Sequence, residues 1–404
     1  MSAKPPKLFW LWLGGLAWTS IGTSILSFGL VWTAVGRSAF LGGIVLTMVI
    51  IPRVVLLLLG GSIADRVGAW RVMVLSDSVL ALVMAGVAVF AAAGHSPSWL
   101  LITAALVMGI ADAFYLPAAG SVPKFMVPDE ALQRAMGGRQ IVGQLSAFVG
   151  PVAGGFLVSL AGLAISFTAG AVGFLGMLFV LMLLRRHLAT APNAGCRPRM
   201  GEHLAAGLRA IWQRPPLVAV VGLTTAFAAF IVPLTPLLVP LLGRTEGWTA
   251  SQTGLLGGAY GVPLAIVAGW VMLLGGSVQP GLTAAKGIIL AGLGVVLTSL
   301  LPHPGAAAVG LALAGLGTGI FSTHIGPVFV SATPHEYTAR VQSVLITAQS
   351  VPLLLANPAI GLLAAELGAR PVIVLWGLGS LAAGAVALTL PVFRNMRRHE
   401  PVSP

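Results

Sequence analysis

Apolar residues in this chain run in blocks and do not alternate with polar ones. Blocks of roughly 20 residues, the length that crosses about 30 Å of hydrocarbon, recur at 8–35, 39–63, 72–93, 98–121, 138–161, 164–185, 217–242, 251–275, 283–301, 305–330, 341–366 and 371–392. The pattern predicts twelve transmembrane helices. The start, "MSAKPPKLFWLWLGG", lacks a small-residue cleavage site after a short apolar core, so it reads as the first span and not as a removed signal peptide. The longest polar interval falls after the sixth block. It divides the chain into a six-helix bundle over 1–186, a cytoplasmic linker over 187–216, and a second bundle with a short tail over 217–404. Within the linker, Leu204, Leu208, Ile211 and Trp212 follow helical spacing opposite Arg209 and Gln213. That spacing fits a short amphipathic helix on the membrane surface, or no more than a tether.

Composition agrees with the pattern. The 404 residues are 57% hydrophobic and 8% charged, and the 52 glycines and 27 prolines sit inside apolar runs, which transmembrane helices tolerate. A single Cys196 rules out a disulfide framework, and no metal site is expected. The net charge of +12 invites a nucleic-acid partner until the charges are placed. With the N-terminus inside, eighteen of the Lys and Arg residues fall in cytoplasmic segments, and only Arg37, Arg244 and Arg370 fall outside. This bias orients the chain in a bilayer with both termini cytoplasmic and removes the reason to expect nucleic acid. The chain contains no G-x-x-x-x-G-K-[ST], no G-x-S-x-G and no second histidine after "HEYTA", so neither ATP-driven transport nor hydrolytic chemistry is expected of it.

The halves echo each other. "LLGGSIADRVGAWRVMVL" (58–75) aligns with "LLGGSVQPGLTAAKGIIL" (273–290), "PDEALQR" (128–134) with "PHEYTAR" (334–340), and "GPVAGGFL" (150–157) with "NPAIGLL" (357–363), each at the equivalent place in its half. Such repeats suit a secondary transporter in which two bundles move about a central site. The expected fold is an all-α membrane protein: twelve transmembrane helices in two pseudo-symmetric six-helix bundles.

Six plus six spans with Gly61, Asp65, Arg66 and Gly68 between helices 2 and 3 resemble the major facilitator superfamily. The family's signature continues with a basic pair, where this chain has Ala69 and Trp70, with Arg71 one place later. Gly150, Pro151, Gly154 and Gly155 resemble the antiporter motif of the drug-exporting branch; Gly137 fits its first glycine, and Ser146 stands where another glycine is usual. "GIADAFYLPAAGSVPKFMVPDEALQRA" is similar to helix 4 and the following loop of macrolide-efflux and siderophore-export relatives. The resemblance implies a latch in which Asp65 faces the start of helix 11 near Arg340. The second copy has Pro280 and Gly281 in place of Asp65 and Arg66, so the latch is one-sided. It further implies a cavity lined by helices 1, 4, 7 and 10.

Two acids, Asp77 in helix 3 and Asp112 in helix 4, and one base, Arg53 in helix 2, fall within hydrocarbon. At about 1.5 Å per residue, Arg53 and Asp112 lie nearly level on neighbouring helices. Unpaired, each costs several kcal/mol, roughly, so pairing is expected. The pair is either a permanent ion pair or one in which Asp112 exchanges its partner for a proton during transport. Asp77 is expected to support the latch region. Thr19, Thr23 and Ser27 form a hydroxyl stripe on helix 1. With Phe114, Tyr115, Gln144, Phe227, Phe230, Tyr260, His324 and Gln349 they describe an apolar, weakly polar wall, suited to amphiphiles.

The function expected is a monomeric secondary transporter in a bacterial inner membrane. It works by alternating access without a bound cofactor, exporting an amphiphile, drug-like or a siderophore, against proton entry. Uptake or facilitated diffusion of a small organic solute is the alternative, and a non-transporting receptor or scaffold is an alternative of another class.

Overall fold

The computed structural model describes residues 6–188, 209, 211–332 and 338–396, with the side chains of 57–62, 64–65, 129, 133, 330–343 and 395 outside that description. All regular structure among the described residues is helical. In chain order α1 is Lys7–Val35, α2 Ala39–Val67, α3 Ala69–Ala92 and α4 Ser98–Met126. The next run, Asp129–Leu183, is unbroken in its hydrogen bonding but contains two non-helical residues, Ala161 (φ −141°, ψ 22°) and Gly162 (φ 65°, ψ −151°). Only glycine adopts the Gly162 conformation without strain. A chain of 55 residues is too long for one span, and the break divides it into α5 (129–160) and α6 (163–183). Then follow α7 (Pro215–Thr245), α8 (Ala250–Leu274), α9 (Pro280–Leu300), α10 (Pro304–Ala332), α11 (Thr338–Leu367) and α12 (Ala369–Thr389). With the break at Gly162, the chain is a multi-pass membrane protein with twelve plausible spans.

Three boundaries differ from those the hydropathy pattern predicts. First, α5 begins at Asp129 and not at 138. Pro128 closes the preceding extended segment, and Glu130 lies in the first turn, where a carboxylate complements the helix dipole. Second, α7 is interrupted: regular helix ends at Phe230, and a π-helical segment, Leu234–Leu238, precedes the final turns, Val239–Thr245. Pro233, Pro236 and Pro240 remove three backbone donors within eight residues, which prevents a continuous α ladder. Third, the two LLGGS segments adopt different structures. The first continues as helix through Val67, whereas α8 stops at Leu274 and the second copy opens into a loop. Pro280 restricts the residue before it and serves as the first residue of α9.

The chain forms two compact units, Met1–Arg197 with Thr249–Leu255, and Pro198–Trp248 with Leu256–Pro404. Their internal pairings repeat: α1 packs on α6 and α3 on α4 in one unit, as α7 packs on α12 and α9 on α10 in the other. The first unit has two apolar cores. One holds Phe9, Trp12, Met73, Tyr115 and Leu181; the other holds Leu26, Leu80, Met84, Leu101 and Phe167. The second unit centres on Leu217, Ile288, Phe321 and Phe393. Bare glycines set the closest approaches. Gly287 and Gly294 on α9 meet Gly317 and Gly310 on α10, at seven-residue spacing on both helices, so the two backbones touch without side chains between them.

Of the expected linker, residues 189–208 and 210 lie outside the described residues. Ile211 is buried in the core of the second unit and Trp212 is 74% exposed.

Candidate functional site

The polar centre of the first unit is made by a close crossing of α2 and α4. A methyl group on Gly109 would strike the Val49 carbonyl and lie 3.0 Å from that of Met48. Pro52, lacking an N–H, leaves the Met48 carbonyl without its helical donor, and the adjacent Arg53 begins the next turn. One turn beyond this contact the Arg53 Nη2 donates to Asp112 Oδ2 at 2.9 Å. The two side chains are part-buried, at 37% and 25% exposure. The structure therefore brings together the two intramembrane charges that the sequence places level with each other.

Asp77 sits on α3 between the two apolar cores, only 1% exposed, with its Oδ2 unpartnered among the described residues. Asp112 and the Tyr115 hydroxyl of α4 lie within its electrostatic reach, and Tyr115 in turn senses Arg139 of α5. The expected support of Asp77 for the latch involves side chains outside the described residues. The approach of Arg139 to Tyr115 carries no signal in the sequence.

The loop between α2 and α3 is a single residue, Gly68, at φ 98°. L-residues with a side chain rarely adopt that value, so the fourth position of the signature has a backbone reason for glycine. Arg66 and Arg71 are exposed on either side of it. Trp70, in the place of a basic residue, donates its indole N–H to the Leu181 carbonyl at 2.8 Å and carries the Arg185 guanidinium 5.7 Å from its ring centroid. Trp70 thus fastens α3 to the end of α6. The side chains of Asp65 and Arg340, and the surroundings of Gly61, lie outside the described residues, as does the latch expected between them.

The glycine–proline motif of α5 is a packing device within the first unit. A methyl group on Gly150 would collide with Ser24 of α1, and one on Gly154 would sit 3.2 Å from the Ile25 carbonyl and from Phe28 Cβ. On the next face, Gly155 meets the Ala250 carbonyl and Gly254 meets that of Pro151, and Ser251 N–H donates to Ser159 Oγ at 3.0 Å.

Several residues expected on a cavity wall make packing contacts within their own unit. Thr19 is buried where α1 meets Gly173 of α6, and Thr23 returns its hydroxyl to the Thr19 carbonyl at 2.9 Å. Tyr115 belongs to an apolar core. His324, 6% exposed, has Nδ1 2.9 Å from the Ile320 carbonyl while Nε2 accepts from the Ser277 backbone at 3.1 Å. The imidazole thus spans α10 and the α8–α9 loop. Phe227 stacks on Phe321 at 4.4 Å, and Phe230 lies against Gly379 of α12. Tyr260 donates its hydroxyl to Thr318 Oγ1 at 3.0 Å. Ser27 and Phe114 are partly exposed; Gln144 and Gln349 are exposed.

Sequence reading missed a second ion pair. Arg370, at the start of α12, grips Glu246 through Nε–Oε1 at 2.7 Å and Nη2–Oε2 at 2.9 Å, and donates Nη1 to the Ser299 carbonyl at 2.7 Å. These hydrogen bonds hold the Glu246 carboxyl below its ordinary range.

Twelve plausible spans in two repeated units, with charges paired inside a bundle, define a polytopic membrane protein. The family model described as the Major Facilitator Superfamily matches residues 10–351, and the chain belongs to that family. It is 26% identical over 368 residues to the multidrug efflux pump Tap of Mycolicibacterium fortuitum, covering 86% of each chain. It is 22% identical over 305 residues to macrolide efflux protein A of Enterococcus faecalis, covering 70% of this chain and 88% of that one. Among solved structures, the peptide transporter POT in complex with sulfate superposes with a TM-score of 0.72 at 16% identity, over 97% and 96% of the two chains. That likeness concerns the fold alone.

Proposed function

We propose that this transporter exports amphiphilic small molecules, drug-like compounds or siderophores, in exchange for protons. It works by alternating access in a bacterial inner membrane with both termini cytoplasmic. Similarity to efflux pumps along most of the chain supports the exporter reading over uptake of a small solute. The observation that carries the coupling is the Arg53–Asp112 pair inside a membrane-spanning bundle. A guanidinium and a carboxylate in hydrocarbon hold each other in place, and a proton on Asp112 dissolves the pair. A protonation event at one atom thereby changes how α2 and α4 are tied. The Asp65–Arg340 latch and the cavity of helices 1, 4, 7 and 10 belong to the same proposal.

The test is uptake of amphiphilic dyes, macrolides and siderophores into inside-out vesicles, with and without a proton gradient, for the wild type and Asp112→Asn. Gradient-driven accumulation lost in the variant, with substrate still bound, is the expected outcome. Accumulation that survives the substitution makes the pair structural. Accumulation independent of the gradient refutes proton exchange.

A further inference from the structure

An open groove of about 340 Å³ runs along the exposed side of α1 and α6, walled by Trp10, Trp18 and Val180 over a floor of Gly14 and Gly176. Its shape follows from where the two helices part. At Gly22 and Gly173 their backbones touch, and a methyl group on Gly22 would lie 3.0 Å from the Ala169 carbonyl. At Gly15 only the side chains of Met177 and Val180 come within reach, and at Gly14 nothing lies within 4 Å. Trp18 closes the inner end: its ring lies over Gly176, and its indole N–H donates to the Val172 carbonyl at 3.3 Å. Trp10 and Trp18 are still 56% and 57% exposed. The other end opens on charge. Lys7, Trp10, Gly14 and Trp18 share one face of α1 by their spacing of three and four residues. At about 1.5 Å per residue Lys7 stands roughly 16 Å from Trp18 along the helix, which matches the roughly 15 Å of a single leaflet. The helices run antiparallel, Gly22 against Gly173 and Gly15 against Val180, so the register carries Lys7 to the level of Arg186 and His187. Those two are exposed in the turn Arg185–Leu188 that follows α6. Neither helix nor that turn contains a carboxylate.

We propose that this groove binds an anionic phospholipid of the leaflet next to the N-terminus, with one acyl chain between Trp10 and Trp18 and the phosphate facing Lys7 and Arg186. The glycine floor leaves room for a methylene chain where a larger side chain would fill the slot. The basic rim favours a headgroup of net negative charge over a zwitterionic one, as Lys and Arg beside a membrane attract anionic lipid. Trp10 sits one turn inside Lys7, at the depth where the amphipathic indole ring is at home. A lipid held there bridges α1 and α6 on the side where their backbones separate. The site involves neither the Arg53–Asp112 pair nor the direction of transport, so it stands or falls apart from the exporter reading.

The test places the purified full chain in phosphatidylcholine vesicles containing phosphatidylglycerol, with bromine on the acyl chains of one lipid or the other, and reads contact quenching of tryptophan. Comparison with Trp10→Phe, which keeps an aromatic wall, isolates the share of the signal that comes from Trp10. At equal mole fraction, phosphatidylglycerol is expected to be preferred at Trp10 by at least about fivefold, the worth of one basic residue near anionic lipid, and Lys7→Gln to lower the preference by about that factor. Gly14→Leu fills the slot without displacing a neighbour and keeps every charge, so it is expected to remove most of the preference. A preference that survives Gly14→Leu overturns the site and leaves only attraction to the basic rim. Equal quenching of the wild type by both lipids overturns it as well. Quenching of Trp10 by neither lipid means that protein, such as a second copy of the chain, covers the groove, and contradicts the proposal. Where Gly14→Leu fails to fold, Lys7→Gln decides, since Lys7 is exposed in the first turn of α1: an unchanged preference contradicts the proposal.

Discussion

At the scale of single residues, the Glu246–Arg370 pair is the most directly testable contact outside the spans. The fork from Arg370 lowers the Glu246 pKa from its ordinary 4.5. A carboxyl depressed in the folded state contributes stability above its unfolded value, and that contribution is lost as pH falls through the folded value. Both side chains are partly exposed, so the pair is worth about 1 kcal/mol or less. Glu246→Gln is therefore expected to lower the melting temperature modestly at pH 7, and thermal melts in detergent should converge with the wild type as pH falls below about 4.5. A gap that widens on acidification would contradict the assignment. The pair was not legible in the sequence because Glu246 and Arg370 are 124 positions apart, and no periodicity joins them. Arg53 and Asp112 were legible because each is alone in an apolar run of known length, so depth followed from counting.

At the scale of helices, bare glycine crossings set the geometry that charge alone does not. Gly109 against Val49 brings α2 and α4 close enough for the Arg53–Asp112 hydrogen bond one turn later. Gly109→Ala must push the Val49 carbonyl aside and is expected to cost about 1–3 kcal/mol. Gly86, with nothing within 4 Å of an added methyl, is the control: Gly86→Ala should be neutral or stabilising by up to about 1 kcal/mol. Thermal melts of the two variants check the contrast, and equal losses would contradict it. Helix number and order were readable from run length. Helix ends were less so, since hydropathy does not register where amphipathic turns extend into the interface, as at Asp129–Gly137 of α5. The interruption in α7 had a visible cause in its three prolines, which an apolar count passes over. The packing contacts of Thr19, Tyr115 and His324 were not legible because a polar atom inside an apolar helix is equally a cavity group or a packing anchor, and the choice depends on neighbours remote in sequence.

At the scale of the whole molecule, the account joins a family membership carried by residues 10–351 to one intramembrane pair. The repeat that suggested two bundles is retained in the helix pairings, while its LLGGS copies have diverged, one helical and one opened into a loop that His324 braces. Charge has diverged as well: the intramembrane pair stands in the first unit, and the corresponding crossing of α8 and α10 is tied by the neutral Tyr260–Thr318 hydrogen bond. The central claim is that an amphiphile leaves as a proton enters. It is tested most directly in proteoliposomes holding an interior pH indicator, with an outward macrolide or dye gradient and no imposed pH gradient. Proton movement opposite to the amphiphile, started by its addition and absent in Asp112→Asn, is the result predicted. Amphiphile movement with no accompanying change in interior pH would contradict it.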